Sequence, residues 1–150
     1  HLFILYFGMM SMITPPVALA AFAAAAISKA SAMRTGLAAM RIGWAAFILP
    51  FAFVATPALL FQGSLAEIAL AATLTALGIG AVTVGIAGYW ARSLGLVLRV
   101  AFAGLGALSL PLGFVDVAQG VHVAAAAVVV LLATALVVLA GRARANNQPI

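Results

Sequence analysis

Five long apolar stretches, separated by short polar or basic connections, set the pattern of this chain of 150 residues. The first begins at Leu2 and is interrupted at Ser11-Met12-Ile13-Thr14-Pro15-Pro16-Val17. Pro15 and Pro16 lack a backbone N–H, and each disfavours the helical conformation in the residue before it, so no helix passes through unaltered. The pattern predicts two half-helices, Leu2 to Ile13 and Val17 to Ala30, each too short for a bilayer that needs about 20 apolar residues. Together, across the break, they are long enough. Lys29 through Arg41 reads as a short surface helix, with Arg34 and Arg41 on one face and Leu37 and Met40 on another. A second full span is expected over Ile42 to Phe61, with Pro50 kinking it. A third runs from Leu65 to Trp90, a fourth from about Leu94 to Val115, and a fifth from Val121 to Ala140.

Hydrophobic residues make up 67% of the chain and charged residues only 6%, far from soluble averages of about 45 to 50% and roughly 25%. The fold class that follows is an all-α membrane protein: a polytopic helical bundle of about five transmembrane spans, the first a discontinuous helix broken at Thr14-Pro15-Pro16. The expected organisation is a broken helix over 1–32, an interfacial helix and kinked span over 33–61, three further spans over 62–145, and a frayed tail over 146–150. With no initiator Met and an apolar run at once, the chain is expected to be the C-terminal part of something longer.

Charge tests the topology. If the spans alternate, all seven basic residues (Lys29, Arg34, Arg41, Arg92, Arg99, Arg142, Arg144) gather on one side and both acids, Glu67 and Asp116, on the other. The positive-inside rule makes the basic side cytoplasmic and puts the C-terminus there. Trp44, Tyr89 and Trp90 then lie at the inner interface. The net charge of +5 is accounted for by this topology, and no nucleic-acid partner is expected.

A broken helix at bilayer depth frees carbonyls that protein, water or an ion must satisfy. Breaks of this kind hold coupling ions and substrate in secondary transporters. Here the carbonyls of residues such as Ser11 and Val17, with the Ser11 and Thr14 hydroxyls, offer hard oxygen ligands suited to a small alkali cation. The opposing reading is a purely structural kink, with Thr14 bonding back to its own helix. Glu67 sits in the first turn of its span, where a carboxylate favours the helix dipole, and Asp116 can cap the helix that follows. His1 and His122 are spans apart, there is no carboxylate pair, and cysteine is absent, so an enzyme is not expected. Gly78 and Gly80 read as packing positions rather than a phosphate loop. Ala72, Ala76 and Gly80, at intervals of four, suggest a ridge for close helix contact.

The run Phe7-Gly8-Met9-Met10-Ser11-Met12-Ile13-Thr14-Pro15-Pro16-Val17-Ala18-Leu19-Ala20-Ala21-Phe22, followed by a small-residue helix, Arg41 and Pro50-Phe51, resembles the large membrane subunit of tripartite ATP-independent periplasmic (TRAP) transporters. The likeness is to fused permeases that work with a TAXI-type binding protein, and it covers roughly residues 1 to 60. From Leu65 on, Gly88-Tyr89-Trp90 and Val115-Asp116 look like that subgroup more loosely. The resemblance implies a sodium-driven importer of an organic anion in the bacterial inner membrane. A periplasmic solute-binding protein would deliver the substrate, and the rest of the permease, including its small-subunit region, would complete the machine. The chain would hold the end of the second inverted repeat. Ser11, Thr14 and Val17 would hold sodium near the substrate, with Pro15 and Pro16 completing the site. Ser11 stands where the family often has glycine. No cofactor beyond the coupling ion is implied. The alternatives are a proton-coupled carrier using Asp116, and a membrane anchor or assembly subunit with no site at all.

Overall fold

The computed structural model describes residues 1–111 and 119–146. The chain divides into two compact units, His1–Pro57 and Ala58–Ile150.

The first unit holds four helices: α1 (Leu2–Met10), α2 (Leu19–Ser28), α3 (Ala32–Ile42) and α4 (Trp44–Ala55). Helices α1 and α2 are 9 and 10 residues long, about half a bilayer each at 1.5 Å per residue. The expected interruption between them is present and extends from Ser11 to Ala18. Aromatic rings join α1 to α4. Phe3 and Phe7 meet at 4.8 Å, and Phe51 stands edge-on to both, at 5.2 and 5.9 Å. Tyr6 meets Phe53 edge-on at 5.6 Å. Such pairs contribute about 0.5–1.5 kcal/mol each beyond the area they bury. Helix α2 ends at Lys29 in the left-handed region (φ 54), with the N–H groups of Lys29 and Ala30 both donating to the Ala25 carbonyl. Helix α3 has Arg34, Leu37 and Arg41 exposed and Gly36 buried. It meets α4 at Gly43 with a bend of 42°, and the pair is long and apolar enough, taken together, to be one broken span. Pro50 lies inside α4 and is buried. Thr56-Pro57 ends that helix and a 3₁₀ turn, Pro57–Leu60, follows.

The second unit is built on α5 (Leu65–Ala87), α6 (Leu96–Ser109) and α7 (Gln119–Asn146). By length and composition α5 and α7 can each cross a membrane unaided. Helix α5 starts with a capping box: Ser64 N–H donates to Glu67 Oε2 at 2.8 Å, and Glu67 N–H donates to Ser64 Oγ at 3.3 Å. The expected N-terminal role of Glu67 is therefore present. The helix ends earlier than predicted, at Gly88 (φ 72), and Tyr89 and Trp90 leave it to form β1 (Tyr89–Trp90) against β2 (Arg92–Ser93). The antiparallel pair turns at Ala91 (φ 54), and Leu94 N–H closes the loop on the Gly88 carbonyl at 2.9 Å.

Helices α5 and α6 lie in backbone contact. A Cβ added to Gly78 would stand 2.8 Å from the Gly106 carbonyl, one on Gly85 would stand 2.7 Å from the Arg99 carbonyl, and one on Gly106 would stand 2.8 Å from the Gly78 carbonyl. The ridge thus runs through Ala71, Gly78 and Gly85, seven residues apart and all buried. This corrects the expected ridge. Ala72, Ala76 and Gly80 are exposed and take no part in that contact, and a Cβ on Gly80 would meet nothing within 4 Å. Arg99, on the first turn of α6, reaches back to the end of α5. Its Nε and Nη2 donate to the Gly85 and Ile86 carbonyls, both at 3.1 Å. A cation on unpaired helix-end carbonyls is stabilising there. At the other end of the unit, His122 Nδ1 donates to the Leu108 carbonyl at 2.6 Å. The core closes around Phe102, with Ala81, Leu94, Val129 and Leu136.

Candidate functional site: the broken helix

In a continuous helix the N–H of residue 15 would serve the Ser11 carbonyl, and that of residue 16 the Met12 carbonyl. Both are proline nitrogens, so both carbonyls lose their partners. Ser11 is left with a long contact from Thr14 N–H at 3.4 Å, while Met12 is served at 2.9 Å by Ala20 N–H, from the first turn of α2. The chain therefore turns back on itself at the break. Ala18 N–H closes the turn on the Thr14 carbonyl at 3.0 Å. Ala18 then sits fully buried in the left-handed region at φ 33, and the Pro15–Pro16 peptide is cis. Among the described residues, the carbonyls of Ile13, Pro15, Pro16 and Val17 accept no backbone hydrogen bond.

The two hydroxyls are spent locally. Ser11 Oγ donates to the Gly8 carbonyl and Thr14 Oγ1 to the Met10 carbonyl, each at 2.6 Å. Thr14 does bond back to its own helix, as the structural reading expects. The same bond leaves the Thr14 oxygen with only lone pairs to present, which is the form a cation ligand takes. Thr14 and Pro15 are half-buried, whereas Ser11, Pro16 and Val17 are exposed.

Helix α3 packs directly against the break. A Cβ on Gly36 would fall 2.7 Å from Pro15 Cγ and 3.6 Å from Phe22 Cε1, and one on Gly43 would fall 3.1 Å from Ile13 Cδ1. Sequence reasoning treated α3 only as a surface helix and missed this packing. The available signal was Gly36 itself, an isolated glycine inside a helical segment, which marks a close approach. No cluster of three or more His, Asp or Glu side chains lies together among the described residues, so oxygen from backbone and hydroxyl groups is the donor set at the break. Asp116, the acid invoked by the proton-coupled reading, lies outside the described residues, as do 147–150 of the expected tail.

The family model described as the DctM component of the tripartite ATP-independent periplasmic transporter matches residues 1–68, a range that contains the whole break and the helices packed on it. The match covers less than half of the chain, and residues 1–68 are similar to that family. No curated protein and no solved structure matches the chain. The DctM match likens this segment to the permease component of a TRAP-type transporter, and the family description names a tripartite, periplasmic system. It ends within the first turn of α5, so the helix-end carbonyls capped by Arg99 and the glycine contacts of α5 and α6 lie beyond it.

Proposed function

We infer that the chain is part of a sodium-driven TRAP permease that imports an organic anion, and that the broken helix is its ion site. The observation carrying this reading is the set of backbone carbonyls, at Ile13 and Pro15 to Val17, that accept no backbone hydrogen bond where the chain turns at the double proline, inside the segment that matches DctM. Ser11, Thr14 and Val17 supply oxygen to sodium, and Pro15 and Pro16 keep the backbone from closing into a helix. Oxygens without formal charge suit a hard monovalent cation and give little hold on a soft one. Helix α2 starts at the break, so its positive end lies there and favours the carboxylate of a substrate.

In this reading a periplasmic binding protein delivers the anion, the remainder of the permease completes the site, and residues 62–145 serve as scaffold. The basic connections support a C-terminus in the cytoplasm of a bacterial cell, with the protein in the inner membrane. The test is uptake by the full permease with its binding protein in proteoliposomes, with and without a sodium gradient. Wild type should require sodium, and Thr14→Ala should lose uptake by at least about tenfold at limiting sodium, as a lost ligand costing more than 1.4 kcal/mol implies. Uptake that follows a proton gradient and survives Thr14→Ala would refute the assignment.

A further inference from the structure

The residues on either side of Thr14 in the chain, Ile13 and Pro15, both rest on α3 and its C-cap. Gly36 meets Pro15: a Cβ there would stand 2.7 Å from Pro15 Cγ, 3.4 Å from Pro15 Cδ and 3.6 Å from Phe22 Cε1. Gly43 meets Ile13, where a Cβ would fall 3.1 Å from Ile13 Cδ1. The two glycines are spaced by about two helical turns and so share one face. Arg34 and Arg41 have the same spacing but are offset by two residues, which puts them on the opposite face, where both are exposed. Helix α3 therefore meets the break by shape rather than by charge.

The two contacts differ in stiffness. The Pro15 ring is closed on its own backbone nitrogen, so pushing Cγ aside moves the main chain of Thr14 and Pro15 with it. Ile13 Cδ1 is the free end of a side chain and gives way by rotation. Glycine is also the costly choice at position 36, in a helix interior where Leu37, Ala38 and Ala39 follow directly and alanine would be the better helix former. The space that a methyl group would take there is already filled by the proline ring. Ile13 and Pro15 carry carbonyls that accept no backbone hydrogen bond, and the Thr14 hydroxyl stands between them in the chain.

We propose that Gly36, and more weakly Gly43, are positioning residues of the ion site. They seat Ile13-Thr14-Pro15 at a fixed spacing, and that spacing fits sodium in preference to the smaller lithium ion. The inference rests on the sodium reading of the break. Neither glycine is itself a ligand. A rigid set of oxygens discriminates between ions of equal charge by size, whereas a set free to relax follows either ion.

The test is thermal unfolding of the purified full permease, titrated with sodium or with lithium against choline at constant ionic strength. An ion that binds only the folded state raises the midpoint, and the rise yields an apparent Kd. Wild type should bind sodium more tightly than lithium. In Gly36→Ala the sodium Kd should rise roughly tenfold and the preference over lithium should be lost. Gly80→Ala, at a position where a Cβ meets nothing within 4 Å, should change neither constant. If Gly36→Ala does not fold, Gly43→Ala is read in its place, with an expected rise in the sodium Kd of about threefold, since its contact is the softer one. A Gly36→Ala permease whose ion-free midpoint drops while both constants match wild type would overturn the inference, because the contact would then serve stability alone. Matching constants with an unchanged midpoint would overturn it as well. Equal sodium and lithium constants in wild type would overturn it and leave the ion site standing. A wild type that responds to neither ion refutes the ion site itself, and this inference with it.

Discussion

The break at Ser11–Ala18 and the α5–α6 contact are both departures from a plain apolar helix, and they solve opposite problems. At the break, proline removes two donors, and the carbonyls of Ile13 and Pro15 to Val17 are left without backbone partners. At the α5–α6 contact, glycine removes side chains so that two intact helices touch through their backbones. There even the end of α5 is closed, with Arg99 on the carbonyls of Gly85 and Ile86. One region leaves oxygen open and the other covers it. An apolar chain can thus separate a place with open oxygen from a place that only holds, using proline for the first and glycine for the second.

Substitutions can break that contrast or sharpen it. The largest effect is expected from Gly106→Leu, whose side chain would enter a space where even a Cβ stands 2.8 Å from the Gly78 carbonyl and from Val82 N. It should cost about 3 kcal/mol or more, read as lost thermal stability in detergent. An unaffected protein would mean that α5 and α6 do not pack through their backbones. Next is Arg99→Gln, which removes a charge-assisted cap from two carbonyls and should cost roughly 2 kcal/mol in the same assay. Ser64→Ala dissolves one half of the capping box at the start of α5 and should cost about 1 kcal/mol. The smallest effect has the opposite sign. Thr75 is 6% exposed and its hydroxyl finds no partner among the described residues, unlike Thr73 and Thr134, which bond back to their helices. Thr75→Val should leave stability unchanged or raise it by up to about 1 kcal/mol. Thr14→Val, equally conservative in shape, should instead reduce sodium-dependent uptake, so the pair separates a hydroxyl with a ligand from one without.

The sequence showed the broken helix because two adjacent prolines act locally, whatever surrounds them. The start of α5 was legible for the same reason: Ser64 and Glu67 satisfy each other within one turn. Long-range packing was not. In an alanine-rich helix, small residues at intervals of four occur on several faces, so Ala72, Ala76 and Gly80 looked as suitable as the face through Ala71, Gly78 and Gly85. Only the backbone of α6 decides between them. Arg99 carried the same weight as any basic residue in a topology count, and its use as a cap depends on where α5 ends. That end was itself misplaced, because Tyr89 and Trp90 extend an apolar run that Gly88 has already terminated. At the candidate site, Ser11, Thr14 and the prolines were legible, but the docking of Gly36 on Pro15 was not, since it joins residues from separate helices.

The central claim is that oxygen left open at the double proline binds sodium. It is tested most directly by thermal unfolding of the purified full permease, titrated with sodium at constant ionic strength against potassium. Binding to the folded state alone raises the midpoint with ion concentration. The account predicts a midpoint that climbs with sodium and not with potassium in wild type, and that no longer responds to sodium in Thr14→Ala. A response identical for the two cations, or one that persists undiminished in Thr14→Ala, would contradict it.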